Sequence, residues 1–249
     1  MPTARTYTPD DLAQISADME DSTPQDLLRW AVDEFFPDLT LACSFGGPSG
    51  MVLVDMIARI EPRVEVFYAD TDFLFPETYA TRDTVIERYG VNVVGYKSEL
   101  SPAEQAARHG DELWLRDPDL CCALRKVEPN RRALEGKRAW IAGLRRDQAV
   151  TRRETPVVQW DEKFALVKVN PLAKWTEADV WSYIVRNDVP YNPLHDQSYP
   201  SVSCTNCTKP VATGDDPRSG RWQGIDKTEC GIHTPDGLIP LVRGEENTG

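Results

Sequence analysis

Six cysteines carry the most reactive side chains of this 249-residue chain. Cys121 and Cys122 are adjacent, and Cys204 and Cys207 form a Cys-x-x-Cys pair. A Cys-x-x-Cys pair alone fits a redox dithiol, half of a zinc site or half of an iron–sulfur site. Together the two pairs can hold one zinc ion or one cluster. We favour the cluster because adjacent cysteines reach different iron atoms but crowd around one zinc.

Cys230 is the candidate nucleophile. It follows a polar, glycine-rich stretch and has glycine beside it and His233 three residues on. Such a setting suits a side chain that swings in, reacts and swings out, although an incidental surface thiol is the alternative. Lys126 lies four residues after Cys122 in a predicted helix, which can bring a positive charge to the thiolates. A solvated surface lysine is the alternative there.

Three loops that directly follow predicted strands are candidates for binding an anion. Residues 44–50 join a strand to a helix, so their N–H groups and the helix N-terminus can cradle negative charge. Residues 70–72 can contact a ribose or a base, although an ordinary helix-entry turn is equally common. Residues 143–148 form the third loop. Forked donors for phosphate or sulfate are offered by Arg145, Arg146, Arg152, Arg218 and Arg221.

The elements that must position these residues alternate between short apolar runs and amphipathic ones. Two helices with Thr-Pro starts open the chain, followed by predicted strands at 39–45, 64–69, 91–96, 138–143 and 164–172, and helices at 51–60, 76–90, from Ser101, and at 176–187. This order predicts an α/β fold with a doubly wound, mostly parallel sheet, whose ligands lie at the carboxyl ends of the strands. Cys43, inside the first strand, is predicted to be core packing.

Charge and composition restrict the partners. The chain has 28 Lys and Arg against 40 Asp and Glu, a formal net charge of -12, so we expect neither nucleic acid nor a membrane as partner. The N-terminus lacks the apolar region of a signal peptide, and no run approaches about 18 apolar residues. We therefore expect a cytoplasmic protein, in which close cysteines serve metal binding or catalysis.

Several motifs together resemble the sulfonucleotide reductases, specifically the bacterial-type adenylylsulfate (APS) reductases that carry a [4Fe-4S] cluster. They are Cys-Cys-x-x-Arg-Lys at 121–126, Gly-Leu-Arg-Arg-Asp-Gln at 143–148, Cys-x-x-Cys at 204–207, Asp-Pro-Arg-Ser-Gly-Arg-Trp at 216–222 and Glu-Cys-Gly-Ile-His at 229–233. The likeness runs from about Leu39 to His233. It departs from the family pattern at Gly46, usually Ser, at Gly50, often acidic, and at Asp72, usually Gly, and residues 234–249 extend beyond the usual end.

The resemblance implies an adenine-nucleotide α-hydrolase-like fold and a two-step reaction. Cys230 would attack the sulfur of APS, expel AMP and become an S-sulfocysteine. Thioredoxin or a similar dithiol would then release sulfite, in assimilatory sulfate reduction. The cluster, on the four paired cysteines, would act structurally and electrostatically together with Lys126.

The resemblance also implies the substrate-binding residues and the domain organisation. Ser44, Phe45, Gly46 and Gly47 would face the nucleotide, Ala69, Asp70, Thr71 and Gly143 would lie near its base and ribose, and Arg145, Arg152, Arg218, Arg221 and the catalytic His233 would lie near the phosphosulfate. Arg153 is an alternative to Arg152. Residues 1–208 would form the nucleotide- and cluster-binding α/β domain with a helical lead-in, and residues 209–249 a loop-rich, mobile C-terminal segment with the nucleophile.

Other functions remain open at this point. Reductases of 3'-phosphoadenylylsulfate (PAPS) resemble the chain but mostly lack the four cysteines, and a dual APS/PAPS reductase is a further possibility. A cluster-containing ATP pyrophosphatase that thiolates RNA is disfavoured by the acidic balance and by the motif at 229–233. A zinc-stapled binding module with an incidental Cys230 is the non-catalytic alternative. The sequence does not determine the oligomeric state.

Overall fold

A six-stranded sheet forms the centre of the protein in the computed structural model, which describes residues 6–225, 227 and 229–233. The strand order is β3-β2-β1-β4-β6-β5, and every neighbouring pair is parallel except β5 and β6. The strands are β1 Leu39–Ala42, β2 Glu65–Asp70, β3 Val93–Lys97, β4 Ala139–Ile141, β5 Val158–Asp161 and β6 Leu166–Val169. The predicted α/β, doubly wound, mostly parallel sheet is thus confirmed.

The central strands are apolar because helices cover both faces of the sheet. Leu41 lies in register with Val66 and with Ile141, and Ile141 lies in register with Val169. All four are fully buried and belong to the larger hydrophobic cluster. The neighbouring Trp140 points to the opposite face, where a smaller cluster forms, because successive residues of a strand alternate between faces.

The helices begin where the sequence provides a cap. Thr8, Thr23, Ser101 and Thr176 each accept a hydrogen bond from the backbone N–H three residues on, and at Ser101 and Thr176 the side chain of that third residue accepts from the cap in return, which completes a capping box. The helices are α1 Pro9–Asp18, α2 Pro24–Phe35, α3 Pro48–Ile60, α4 Pro76–Tyr89, α5 Pro102–His109, α6 Leu113–Arg116, α7 Pro118–Cys122, α8 Glu128–Leu134 and α9 Glu177–Asn187.

Local differences from the prediction follow from tertiary contacts. Strand β5 is missing from the sequence prediction. It forms because a tight turn, with Asp161 accepting from the N–H groups of Lys163 and Phe164, folds it back antiparallel onto β6. Residues Ala123–Val127 form a π-helical turn between α7 and α8 instead of a continuous α-helix.

The two directions of chain progression meet between β1 and β4. The sheet grows from β1 towards β3 on one side and from β4 towards β6 and β5 on the other. At such a switch point the loops after neighbouring strands diverge and leave a crevice. Among the described residues, no helix has both the length and the apolar character that crossing a membrane requires. Residues 234–249 of the predicted C-terminal segment lie outside the described residues.

Candidate active site

A cavity of about 270 Å³ lies at this switch point, beside the carboxyl ends of β1, β2 and β4. It is lined by predicted site residues that come from segments far apart in the chain. These are Ser44, Gly46, Gly47, Ala69, Thr71, Lys126, Gly143, Arg152, Arg218, Arg221, Cys230 and His233. A candidate nucleophile, a buried ammonium and three guanidinium groups therefore share one cavity.

Two of the predicted substrate-binding residues lie behind this cavity rather than in its wall. Phe45 is fully buried with φ +54°, and its carbonyl accepts from the Asn192 side chain at 3.2 Å. Asp70 is also buried, and its carboxylate accepts from the Tyr79 hydroxyl at 2.6 Å. In this arrangement both residues position the loops that line the cavity.

Arg145 lies beside the inner cavity, in an outer cavity of about 760 Å³. Its guanidinium is held by the protein itself: Nη1 donates to the Ser49 hydroxyl at 2.6 Å, and Nε donates to Asp147 at 2.8 Å. Arg152, Arg218 and Arg221 line both cavities. The Arg145 side chain thus braces the first turn of α3, whereas the other three arginines connect the outer and inner spaces.

The glycines of the first loop have a steric explanation. A Cβ on Gly46 would come within 2.8 Å of the Val202 carbonyl oxygen, and a Cβ on Gly50 would come within 3.0 Å of the Cys43 sulfur. The two departures from the family pattern in this loop therefore match close approaches of the chain. Cys43 is buried as predicted, and burial raises the pKa of its thiol to about 12.

The chain just before Cys230 is anchored by the Glu229 carboxylate, which pairs with two arginines. Arg152 donates through Nε and Nη2 to the two oxygens of Glu229, at 3.0 and 2.7 Å, and Arg218 Nη2 lies 3.5 Å from the same carboxylate. The Glu229 side chain is 9% exposed. Arg152 Nη1 also donates to the Gln148 side chain at 2.6 Å. The charge-assisted, bidentate pair fixes the residue next to the nucleophile.

The other side of Cys230 is anchored on the small hydrophobic cluster. Lys163 donates to the carbonyl of Gly231, which adopts φ +87°, a conformation that favours glycine. Ile232 packs against the cluster, and the His233 ring stacks on Trp140 with centroids 5.6 Å apart. The motif at 229–233 is therefore a docked segment with separate anchors before and after the thiol.

His233 is held in its neutral form. Burial, reinforced by the nearby positive charges of Lys168 and Arg152, holds the pKa of the imidazole well below its ordinary value. Its Nδ1 is buried and finds no hydrogen-bond partner in the described part of the chain. A neutral imidazole with an open nitrogen can form a hydrogen bond with a ligand in the cavity.

Lys168 adds positive potential beneath the segment. It lies on β6 with its ammonium 4.7 Å from the Trp140 ring centroid and 3.5 Å from Asp161. Burial lowers the pKa of Lys168 to about 8, although Asp161 acts against this shift. This lysine and Lys163 come from a strand and a turn that carried no sequence signal for the site.

The four paired cysteines line a second, much smaller cavity of about 10 Å³. All four are free thiols, and Cys121, Cys122 and Cys204 are buried. The strand bridge between Leu74 and Cys204, with a 2.7 Å hydrogen bond from the Thr205 N–H to the Phe73 carbonyl, fixes the Cys-x-x-Cys turn to the segment after β2. Within residues 6–225, 227 and 229–233, no three potential ligands converge on a point suited to a single metal ion.

Lys126 belongs to both cavities. Its ammonium donates to the Ser203 hydroxyl at 2.8 Å. Burial acts to lower the pKa of Lys126, but the negative charge available on Cys204 and Cys122 outweighs it and raises that pKa. Burial likewise acts to raise the pKa of Cys204, but Lys126 and the Thr71 hydroxyl outweigh it and lower that pKa. The lysine therefore forms the electrostatic link between thiols and cavity.

Asp72 is the third position that departs from the family pattern, and its contacts account for the aspartate. Its φ is +59°, a conformation that glycine adopts more easily. Its carboxylate accepts from Arg125 at 3.0 Å and from Lys97 at 2.5 Å. Arg125 is 1% exposed and lines the cysteine cavity. The aspartate thus supplies the counter-charge for a buried guanidinium in the wall of that cavity.

Sequence reasoning missed several residues that the fold brings to the cavity: Asn130, Trp140, Gln148, Ser203, Trp222 and Glu229 line it, and Lys163 contacts the docked segment. Gln148, Trp222 and Glu229 lie inside the motifs that carry the family resemblance, which was the available signal. The others lie in strands, helices or turns whose local pattern indicates only packing or solvent exposure.

Comparisons with known proteins agree with this geometry. The phosphoadenosine phosphosulfate reductase domain matches residues 38–210. An adenosine 5'-phosphosulfate reductase from Lysinibacillus sphaericus is 51% identical over 84% of this chain and 89% of that protein. A phosphoadenosine 5'-phosphosulfate reductase from Gloeobacter violaceus is 50% identical over 89% of this chain and 93% of that protein.

A solved structure extends the likeness to three dimensions. The phosphoadenylyl-sulfate reductase from Candida auris, in a phosphate complex, superimposes with a TM-score of 0.73 at 34% identity, covering 83% of this chain and 100% of that one. Sequence and overall fold agree, and the chain belongs to the phosphoadenosine phosphosulfate reductase domain family.

Proposed function

We propose that this protein is a thioredoxin-dependent adenylylsulfate reductase, which converts APS to sulfite and AMP through an S-sulfo intermediate on Cys230. The observation that carries the proposal is that Cys230 shares one cavity with Arg152, Arg218 and Arg221, while Lys126 connects that cavity to the four-cysteine site. The relatives named as adenosine 5'-phosphosulfate reductases support it.

In the first step the cavity places an anionic sulfur centre against the thiolate. The guanidinium groups bind the oxygens of the phosphosulfate, and the loop before α3 receives the nucleotide. The thiol proton of Cys230 passes to water, because burial and the nearby positive charges that hold the pKa of His233 well below its ordinary value make that imidazole a weak base. The thiolate attacks sulfur, the bond from sulfur to the phosphate oxygen breaks, and AMP leaves with its electron pair. Lys126 stabilises the sulfonate charge.

In the second step a dithiol supplies both electrons. One thiolate of the reductant attacks the Cys230 sulfur, the bond to the sulfonate breaks, and sulfite leaves with the electron pair. The second thiol of the reductant then attacks the mixed disulfide and restores Cys230, so the reductant ends as a disulfide. A thioredoxin-like protein fits this role, and the cytoplasm, which keeps such dithiols reduced, is the proposed compartment.

The four-cysteine site fits a [4Fe-4S] cluster held by Cys121, Cys122, Cys204 and Cys207. Four free thiols line one enclosed space, and thiolates are the ligands that hold such clusters in proteins. When bound, the cluster supplies a structural staple and a charged body next to Lys126. We expect iron and acid-labile sulfide in the purified protein, and stoichiometric zinc would contradict this assignment.

We further propose a division of the chain into two parts. Residues 1–208 would supply the nucleotide and cluster sites, and residues 209–249 would supply the segment that delivers Cys230. In support, Glu229, Gly231 and His233 each contact a residue of the α/β body, namely Arg152, Lys163 and Trp140.

PAPS is the second candidate substrate, because the Gloeobacter violaceus relative and the Candida auris structure carry its name. The four-cysteine set favours APS. Turnover rates of the two nucleotides with the same reductant decide between them: a higher kcat/KM for PAPS would reverse the assignment.

The reaction is tested most directly by mixing the protein with APS in the absence of any dithiol and measuring the intact mass. We expect one added SO₃ group per chain and none in Cys230→Ser. Cys43→Ala serves as the matched control and should still form the adduct, because the Cys43 thiol lines the same cavity but is buried, and burial raises its pKa to about 12. An adduct that persists in Cys230→Ser would show that another residue is the nucleophile.

A further inference from the structure

The Glu229 carboxylate lies where an anionic ligand of the cavity would bind. It takes both forked donors of Arg152, at 3.0 and 2.7 Å, and lies 3.5 Å from Arg218. Arg152 and Arg218 belong to the guanidinium groups proposed above for the phosphosulfate. The residue that precedes the nucleophile therefore occupies part of the anion site.

One guanidinium edge cannot serve two anions at once. The planar fork of arginine matches a carboxylate and a phosphate or sulfate equally well in geometry. With Nη1 of Arg152 donating to Gln148 at 2.6 Å, the edge of the guanidinium formed by Nε and Nη2 is engaged by Glu229. An incoming anion that uses the same edge must displace the carboxylate, and the carboxylate lowers the affinity for that anion.

The anchors after Cys230 do not use these arginines. Gly231 is held by Lys163, Ile232 packs on the small cluster, and His233 stacks on Trp140. Displacement of Glu229 therefore releases the chain on one side of the thiol only. The segment stays docked through its other side while the nucleophile gains freedom to approach the ligand.

We propose that Glu229 is a positioning residue that competes with the anionic group of the substrate for Arg152 and Arg218, and that holds Cys230 in place until that group displaces it. The identity of the anion as a sulfonucleotide rests on the proposed function, whereas the competition itself rests on the geometry of the ion pair.

Binding of APS to Cys230→Ser protein, measured by calorimetry, tests the competition without turnover. Adding Glu229→Gln removes the competing charge but keeps the size of the side chain, so we expect the Kd for APS to fall about tenfold, the difference between a charged and a neutral hydrogen-bonded pair. Disruption of the fold does not produce tighter binding, so a gain in affinity separates competition from structural damage.

Glu177→Gln is the matched control, because Glu177 lines the outer cavity but does not contact Arg152 or Arg218 among the described interactions. It should change the Kd by less than about twofold, as expected for an exposed charge. An equal or weaker affinity in Glu229→Gln, relative to the parent, overturns the inference. Absence of APS binding in every variant, with retained binding of another nucleotide, would overturn the proposed function instead.

The positioning role has its own readout in alkylation of Cys230 by iodoacetamide without ligand. Loss of the Glu229 charge also alters the thiolate fraction, so the comparison uses the limiting rate at high pH, where the thiol is fully ionised. We expect this rate to rise severalfold in Glu229→Gln and to stay unchanged in Glu177→Gln. An unchanged limiting rate in Glu229→Gln would show that the carboxylate does not hold the segment.

Discussion

The wall of the cavity that carries the cysteine pairs and the segment that carries Cys230 are stabilised in different ways. The wall consists of α7, the π-helical turn and a Cys-x-x-Cys turn bridged to the segment after β2, with a buried Arg125 inside it. The segment at 229–233 is held by an ion pair, one lysine contact and two apolar contacts. The wall thus rests on helices and backbone bridges, whereas the segment with Cys230 rests mainly on contacts of side chains.

The difference has a physical basis in how each region buries charge. Arg125 is nearly inaccessible, and its charge is balanced within the wall by Asp72. Glu229 is balanced by arginines that also face the ligand cavity. An ion pair whose partners lie inside the protein is costly to break, whereas a pair next to a ligand site can be exchanged for a pair with the ligand.

The largest expected effect concerns the wall. Asp72→Asn keeps a residue type that tolerates φ +59° but removes the counter-charge of Arg125. We expect the free energy of unfolding to fall by about 3 kcal/mol, because a buried guanidinium loses its anionic partner. Urea unfolding of the iron-loaded protein measures this free energy of unfolding.

The control for this loss is Asp83→Asn, since Asp83 pairs with Arg82 at the surface and its side chain is 63% exposed. It should cost less than about 1 kcal/mol. Equal losses in the two variants would mean that the buried pair in the wall contributes no more than a surface pair.

A smaller effect is expected from a change at Lys126, which lies where the wall and the segment meet. Lys126→Ala should retain iron but slow formation of the Cys230 adduct with APS by about 100-fold, because the ammonium in both cavities is removed. Time-resolved intact mass gives the rate. Lys174→Ala, at an exposed pair with Asp21, is the control and should react like the parent. Unchanged kinetics in Lys126→Ala would remove this lysine from the site.

The smallest effect concerns the segment alone. Lys163→Met removes the donor to the Gly231 carbonyl, so adduct formation should slow about tenfold, as expected for loss of one charge-assisted hydrogen bond. Binding of APS in the Cys230→Ser background should not change. Lys137→Met, whose ammonium pairs with Glu65 instead, serves as control. Weaker APS binding in Lys163→Met would indicate a ligand contact rather than an anchor of the segment.

Much of the fold was predictable because its signals are local. Threonine caps, proline starts and the alternation of short apolar runs with amphipathic ones identified helices α1 to α5, helix α9 and the parallel strands, but not the short helices α6 and α8. Strand β5 was missed because its place depends on pairing with β6 across a turn. The π-helical turn at Ala123–Val127 was missed for a similar reason, since residue type there also suits an α-helix.

The candidate site was predictable in composition but not in arrangement. Residue types and motif spacing identified Cys230, Lys126 and the four paired cysteines. The same reasoning could not show that Asp70 and Phe45 lie behind the cavity, because facing a ligand or supporting a loop depends on packing. Nor could it find Lys163, which contacts Gly231 from 68 residues away in the chain.

The sequence by itself determined which chemistry is available: thiols in pairs, a separate thiol near glycine, and arginines enough to bind an anion. The tertiary structure alone decided that Glu229 occupies those arginines and that Lys126 connects the two cavities. The physical reason is distance along the chain. Residue types and short spacings are local properties, whereas the partner of a buried charge is chosen by which distant segments the sheet brings together.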